Sequence, residues 1–223
     1  MDIMQVMEER HSVRQYTDRK IEGETLAALK EEISLINQSS GLDFQLVTDE
    51  PGAFTGFMPR YGKFVNVRNY IGLIGPRNPE LDEQIGYWGE RVVLKAQELG
   101  LNTCWVGMSF SKRRTKFHIT GGEKLVCVLA LGYGQTQGIA HSNRPLDQVT
   151  ELTSPGSEWF KNGIKAAMLA PTAVNQQHFK ISVEADGKVK IVSTGGFFSK
   201  VDLGIVKYQF EAGAGKDFPG YAK

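Results

Sequence analysis

Ile3, Val6 and Met7 recur at the spacing of one helix face behind Asp2, an N-cap candidate, and the helix is expected to run into the polar stretch RHSVRQY at 10–16. Leu26, Leu29, Ile33 and Ile36 step by three and four, which predicts a second helix stopping before Ser39, Ser40 and Gly41. FQLVT (44–48) reads as a strand, the Gly/Pro-rich stretch 51–63 as a loop, and YIGLIG (70–75) as a buried strand. The longest helix is expected next, with Ile85, Trp88, Val92, Ala96 and Leu99 on one face and Gly100 as its stop. NTCWVGM (102–108) and LVCVLALG (125–132) read as interior strands, separated by a basic segment, KRRTKF, expected to form a short helix. The pattern is α+β.

From Gly134 to Ser157 the chain is rich in Gly, Gln, Ser, Thr and Pro, the composition of a long surface connector. A helix over 158–170 follows. HFKISVEA and KVKIVST then alternate as strands around Asp186-Gly187, a type I′ hairpin signal, and Ser199 is placed to cap a last helix bearing Val201, Ile205 and Tyr208. This gives a first part over 1–150 and a shorter second part over 151–223. The order helix, strand, strand, glycine-containing helix occurs in both. Leu42 to Val47 lies over Gln177 to Ser182, and GYWGERVVLKAQELG over VDLGIVKYQFEAGAG; the identities are few and any two αββα segments look alike at this level, so the second part is either a truncated internal copy or an unrelated segment of the same element order.

Composition narrows the function classes. An apolar fraction of 41% with 23% charged residues belongs to an ordinary globular chain and sets aside disordered and fibrous classes. Twenty-six Lys+Arg against 25 Asp+Glu leave +1, so no global field attracts nucleic acid or an anionic membrane, and any anion site must be local. No apolar run reaches the ~18 residues of a membrane span. Asp2, Glu8 and Glu9 stand where a secretory signal would carry positive charge, so a cytoplasmic protein is expected. Cys104 and Cys127 lie in apolar runs without redox or zinc spacing and are expected as buried free thiols.

Two segments carry candidate chemistry. RHSVRQY sets Arg10, His11, Ser12 and Arg14 within five positions; if helical, Arg10 and Arg14 face one way and can clamp a phosphate, although such a segment also serves as a solvated helix end. APTAVNQQHF (170–179) offers Thr172, Asn175 and Gln177 from a short loop after Pro171, a set of hydroxyl and amide groups suited either to the edge of a flat heterocycle or to capping and turn formation. The run Lys112, Arg113, Arg114, Lys116 reads as a solvated face rather than a nucleic-acid patch. His118 and His141 lack ligand-spaced partners, so no metal is expected.

Taken together, RHSVRQY, GLNTCWVG, GEKLVCVLALGYG with Arg144-Pro145-Leu146 after it, and APTAVNQQ resemble the FMN-dependent nitroreductase family, related to NADH oxidases and flavin reductases, over most of the chain. The resemblance implies an α+β flavoprotein fold, an antiparallel or mixed sheet flanked by helices. It assigns Arg10, His11 and Ser12 to the phosphate and ribityl chain of FMN, Arg14 to the pyrimidine edge of its ring, and Arg144 to the phosphate. Trp105 matches a position near the cofactor, whereas Trp88 is expected in the core. Pro171, Thr172, Asn175 and Gln177 match the family's Pro-Ser-x-x-Asn-x-Gln run. The ring would take hydride from NAD(P)H and pass it to a nitroaromatic, quinone or similar acceptor in ping-pong fashion, with Arg14 as the catalytic residue.

The departures are as informative. Family members carry that run after the first long helix, where this chain has INQSSGLDFQLV, and contribute it across a homodimer interface to the partner's flavin. Here it stands far toward the C-terminus. With the weak repeat, this implies the divergent branch in which the second part replaces the partner, making a monomeric pseudo-dimer with one flavin site. Thr172 keeps the family's hydroxyl, but His178 stands where proline is common. Two rivals stay open: a flavin carrier or sensor without turnover, and a binder of another phosphorylated ligand.

Overall fold

The computed structural model describes residues 2–150 and 157–222, so the end of the expected connector and the start of the second part, at 151–156, lie outside the described residues. The chain forms two compact units that interleave along it: Glu9–Leu81 with Arg91–Ala140, and Met1–Glu8 with Asp82–Glu90 and His141–Lys223.

The first of these units is built on a four-stranded sheet, β1 (Asp43–Val47), β2 (Asn69–Pro76), β3 (Asn102–Val106) and β4 (Glu123–Gly132), in the order β1-β2-β4-β3 with every neighbouring pair antiparallel. β2 and β4 are central and read as near-continuous apolar runs because both faces are covered. One cluster gathers Val13, Tyr16, Phe54, Phe64, Tyr70, Cys104, Val106 and Phe110. Helix α2 (Gly23–Ser40) buries Leu29, Ile33 and Ile36, and its Asn37 side chain brackets the backbone of Phe44, accepting from its N–H and donating to its carbonyl. The helix runs past its expected stop: Ser39 and Ser40 turn their hydroxyls back onto the Leu35 and Ile36 carbonyls and so stay helical, and Gly41, at φ 70°, ends it. The expected loop 51–63 holds a 3₁₀ turn at Gly52–Phe54 and a short helix, α3 (Phe57–Tyr61), while KRRTKF forms only a 3₁₀ turn at Lys112–Arg114.

The other unit contains α1 (Ile3–Glu9) up to Glu8, the first half of α4 (Leu81–Glu98), α5 (Glu158–Ala167), a hairpin of β5 (Phe179–Val183) and β6 (Val189–Ser193), and α6 (Ser199–Ala214). α2 and α4 are both 18 residues long, so α4 shares the place of longest helix. Phe160 of α5 meets Phe210 of α6 edge-on at 5.7 Å, over Gly163. The first half of α4 joins α6 through Lys207–Glu83, Tyr87–Glu211 and the buried Gln209–Glu90 bond. The hairpin edges are partly covered, since Ile181 N–H donates to the Val149 carbonyl and Val189 N–H to that of Gly220.

Three expectations are corrected here. The hairpin turn is not type I′: Gly187 (φ 81°) has positive φ and Asp186 does not, and the loop closes through Gly187 N–H to the Glu184 carbonyl, a three-residue loop with the glycine as the left-handed bulge position. Ser199 is the first residue of α6 rather than its cap, a place taken by Phe198 at φ 54° without a side-chain bond. Trp88 is half-buried against Tyr87 and is not a core residue.

Candidate functional site

The segment 10–16 is extended, not helical, because α1 ends at Glu9 and the chain then lies along the open edge of β3. Ser12 pairs with Thr103 in parallel, Val13 N–H donates to the Thr103 carbonyl at 2.9 Å, and Val65 N–H donates to the Arg14 carbonyl at 3.0 Å. Strand alternation then does what the expected helix turn would have done: Arg10, Ser12 and Arg14 share one face. Cys104 of β3 reports this, since its thiol is hydrogen-bonded by Ser12 and lies within the field of both guanidiniums. Burial pushes that thiol's pKa up, with Arg14, Arg10 and the Ser12 bond pulling against it. Arg10 is 3% exposed, Ser12 half-buried and Arg14 exposed. His11 faces the other way with Val13, and a Cβ on Gly138 would press on the Cβ of His11 at 2.7 Å. Beneath them Tyr16 donates its hydroxyl to the Val13 carbonyl at 2.7 Å, and burial holds its pKa well above the usual phenol range.

Arg14 opens onto a cleft of about 450 Å³ that Trp105 and Gly107 line from β3 and the turn after it, and Tyr61, Lys63 and Phe64 from the end of α3. That volume lies in the ~300–1,000 Å³ range of small-molecule sites. Tyr61 and Lys63 were hidden in a stretch whose Gly and Pro content reads as loop; their one sequence signal is an aromatic and a cation standing together in a segment otherwise devoted to turns.

The expected residues Arg144, Pro171, Thr172, Asn175 and Gln177 belong to the other unit. There the 172–177 loop is held by its own polar groups. Gln177 is 2% exposed; its amide donates to the Ser142 carbonyl and to Asn175 Oδ1, and its Oε1 accepts from the Arg144 backbone N–H at 3.0 Å. Asn175 donates to the Ser142 carbonyl, and Thr172 Oγ1 accepts from Gln177 N–H. Gln177 is thus a brace for the Arg144 segment. Val174 (φ 46°), Asn175 (φ 57°) and Gln177 (φ 47°) all occupy left-handed backbone, which is costly for a β-branched residue such as Val174.

A residue the sequence did not flag holds this strained loop. Asp202 of α6, 7% exposed, accepts the Ala173 N–H with both carboxylate oxygens, at 2.9 and 3.1 Å, and the Gln176 amide at 2.6 Å. Burial raises its pKa to about 6 against the opposing pull of those bonds and of His178. As an acid in an otherwise apolar helix pattern, it gave no more signal than a surface charge. His141 lies 3.1 Å from the Met168 carbonyl through Nε2, and both cysteines are free and buried as expected. Among the described residues no group of His, Cys, Asp and Glu could hold a metal ion, and no helix is long and apolar enough to cross a membrane.

An antiparallel four-stranded sheet flanked by helices, with an Arg-x-Ser-x-Arg segment along its edge strand, defines the α+β nitroreductase fold. The chain matches the family described as "Putative TM nitroreductase" over residues 2–214 and belongs to it, which places it among nitroreductase-type oxidoreductases. It is similar in fold to the "putative nitroreductase" of Thermotoga maritima, with a TM-score of 0.68 at 22% identity over 95% of this chain and 83% of that one. The nitroreductase family protein of Streptococcus pneumoniae gives a TM-score of 0.54 at 12% identity over 66% of this chain and 98% of the other. A "putative nitroreductase in complex with FMN" from Desulfovibrio desulfuricans gives 0.52 at 20% identity, over 70% and 99%. No curated protein matches the sequence.

Proposed function

We propose that the protein is an FMN-dependent NAD(P)H oxidoreductase of the cytoplasm that reduces nitroaromatics, quinones or related acceptors, with one flavin per chain. The shared face of Arg10, Ser12 and Arg14, beside a cleft that Trp105 also lines, carries the reading. The donor set suits FMN, whose phosphate bears about −1.5 to −2 charge and calls for charge-assisted hydrogen bonds. In extended backbone Arg10 and Arg14 stand roughly 13 Å apart along the chain, so they serve different ends of a long ligand rather than one phosphate. Arg10 and Ser12 take the phosphate and ribityl chain, His11 contributing through its backbone. Arg14 holds a positive charge at the pyrimidine edge, where it stabilises negative charge. FMN held by these residues would supply the two-electron hydride chemistry between a reduced nicotinamide and the acceptor.

The second segment enters through the family motif. Pro171, Thr172 and Asn175 are assigned to the same cofactor, with Gln177 holding Arg144 in place for the phosphate, and the part from 151 to 223 supplies what a partner subunit gives in the family. A monomer follows from this assignment, and the net charge of +1 supports the reading that nucleic acid is not a partner. The purified protein is expected to be yellow, to release FMN on denaturation and to oxidise NAD(P)H when an acceptor is added. Light scattering should give the mass of one chain with one FMN. Colourless protein that ignores added FMN overturns the proposal, flavin that neither nicotinamide reduces makes the protein a carrier, and two chains sharing two flavins removes the pseudo-dimer.

A further inference from the structure

Arg14 and Lys63 line one cleft, and among the described residues neither has an ion-pair partner and no carboxylate lines that cleft. Two like charges that share a partly enclosed space repel, and an anion placed between them and the walls relieves this. Lys63 is not free to drift away. Its backbone sits at φ 60°, and the N–H groups of Gly62, Lys63 and Phe64 close the end of α3 on the carbonyls of Met58, Arg60 and Pro59. A Cβ on Gly62 would press on the Ser109 Cβ at 2.7 Å and on the Phe64 ring, so the chain is pinned there as well. The lysine is therefore held in left-handed backbone at the cleft wall, a place where a glycine or asparagine would sit with less strain. Beside it Tyr61 is 78% exposed and Trp105 half-buried, so both cations are set among flat aromatic surfaces.

We propose that this cleft takes a planar anionic acceptor, a nitroaromatic or quinone that also bears a carboxylate or sulfonate, whose ring lies against Tyr61 and Trp105 and whose charged group, not the one reduced, is met by Lys63. The inference rests on the flavin reading: Arg14 is then engaged at the cofactor's ring edge and Lys63 remains for the acceptor. Trp105 supplies ring surface that is indifferent to ligand charge, and Lys63 supplies the selection between charged and neutral rings. Exposure of the lysine makes that selection sensitive to salt.

The test is calorimetric titration of the oxidised protein, without electron donor, with 4-nitrobenzoate and with its neutral analogue 4-nitrobenzamide, after the FMN content has been measured. The benzoate is expected to bind about fivefold more tightly at low ionic strength, the scale of one partly exposed ion pair. Lys63→Gln should bring the two affinities together, Lys63→Arg should keep them apart, and 0.5 M salt should shrink the difference in the unsubstituted protein. Equal affinities in the unsubstituted protein, or a preference that survives K63Q, overturn the inference. Protein that carries and binds no FMN but still shows a Lys63-dependent preference defeats the flavin reading while leaving the anion site standing.

Discussion

Gly86 and Gly204 mark a backbone-to-backbone contact in which each glycine faces the residue three before the other: a Cβ on Gly86 would overlap the Val201 carbonyl, and one on Gly204 would overlap the Glu83 carbonyl. The relation exchanges one helix for the other, as a two-fold interface between identical subunits does. Here both helices belong to one chain. The equivalence it sets, Gly86 with Gly204, is three residues out of the register in which the sequence comparison places Gly89 over Gly204.

The first expectation concerns these glycines. Glycine inside a helix costs roughly 0.5–1 kcal/mol relative to alanine, so Gly86→Ala or Gly204→Ala at an open site would stabilise. Here the added methyl meets backbone, which cannot swing aside, and overpacking of this kind costs about 1–3 kcal/mol or more. Each substitution should therefore destabilise in urea unfolding by ~1–2 kcal/mol net. Gly121→Ala, where a Cβ meets nothing within 4 Å, should stay within about 0.5 kcal/mol. A G86A protein as stable as the parent would mean that the helices do not touch at this point.

Much of the fold was legible because its signals are periodic. The apolar runs of β2 and β4 survive in the structure, as does the α2 stripe at Leu29, Ile33 and Ile36, whereas the α4 stripe keeps Ile85, Val92 and Ala96 buried and leaves Trp88 and Leu99 only half-buried. The site was legible by type and not by geometry. Arg10 and Arg14 share a face both at helical spacing four and at strand spacing two, so the shared face expected of a helix arises on an extended backbone instead. What decides between them is the unpaired edge of β3 at Thr103, a tertiary demand that no local pattern announces. The same holds for Asp202, whose importance lies in the loop it grips 29 residues away. Close approach pairs Gly86 with Gly204, whereas identity alone lays Gly89 over Gly204, because helix contact is a tertiary demand that aligned letters do not carry.

Arg10 and Arg14 should separate into binding and redox effects. On the proposed flavin site, Arg10→Gln would remove a charge-assisted bond of about 1.5–3 kcal/mol, so FMN affinity should fall roughly 10- to 100-fold in fluorescence titration. Arg14→Gln should leave more of the affinity and lower the midpoint potential by about 30 mV, the equivalent of ~1.4 kcal/mol for a two-electron couple. Circular dichroism guards against misfolding of the variant at buried Arg10. If both substitutions changed affinity alone, Arg14 would belong to the phosphate and not to the ring edge.

Cys104 offers a probe of the segment above it. Its thiol is buried and its pKa is raised mainly by that burial, so little thiolate is available for attack. A disulfide reagent at pH 8 should leave the native protein unmodified for hours, and should count two thiols after denaturation, Cys104 and Cys127. Rapid reaction of Cys104 in the native protein would show that residues 10–14 lift from β3.

Asp202 ties stability to pH, and the direction follows from its raised pKa. Unfolded, the carboxyl titrates near 3.8; folded, near 6, so between these values the native state holds the extra proton. Its contribution is most favourable below pH 4 and is lost as pH rises to about 6, by up to roughly 3 kcal/mol, after which it is constant. Asp202→Asn removes this titration. It also weakens the grip on the loop, since the amide keeps one accepting oxygen where the carboxylate has two, and sets an NH₂ donor against the donors of Ala173 and Gln176. Unfolding free energies measured from pH 4 to 8 should therefore show the parent losing stability relative to D202N across pH 4–6 and running parallel to it above. The Arg144 segment, tied to the same loop through Gln177, should exchange its amide hydrogens faster in the variant. Parallel stability curves across the whole range would mean that Asp202 is ionised as readily in the folded chain as in the unfolded one, and that the loop is held by its own amides alone.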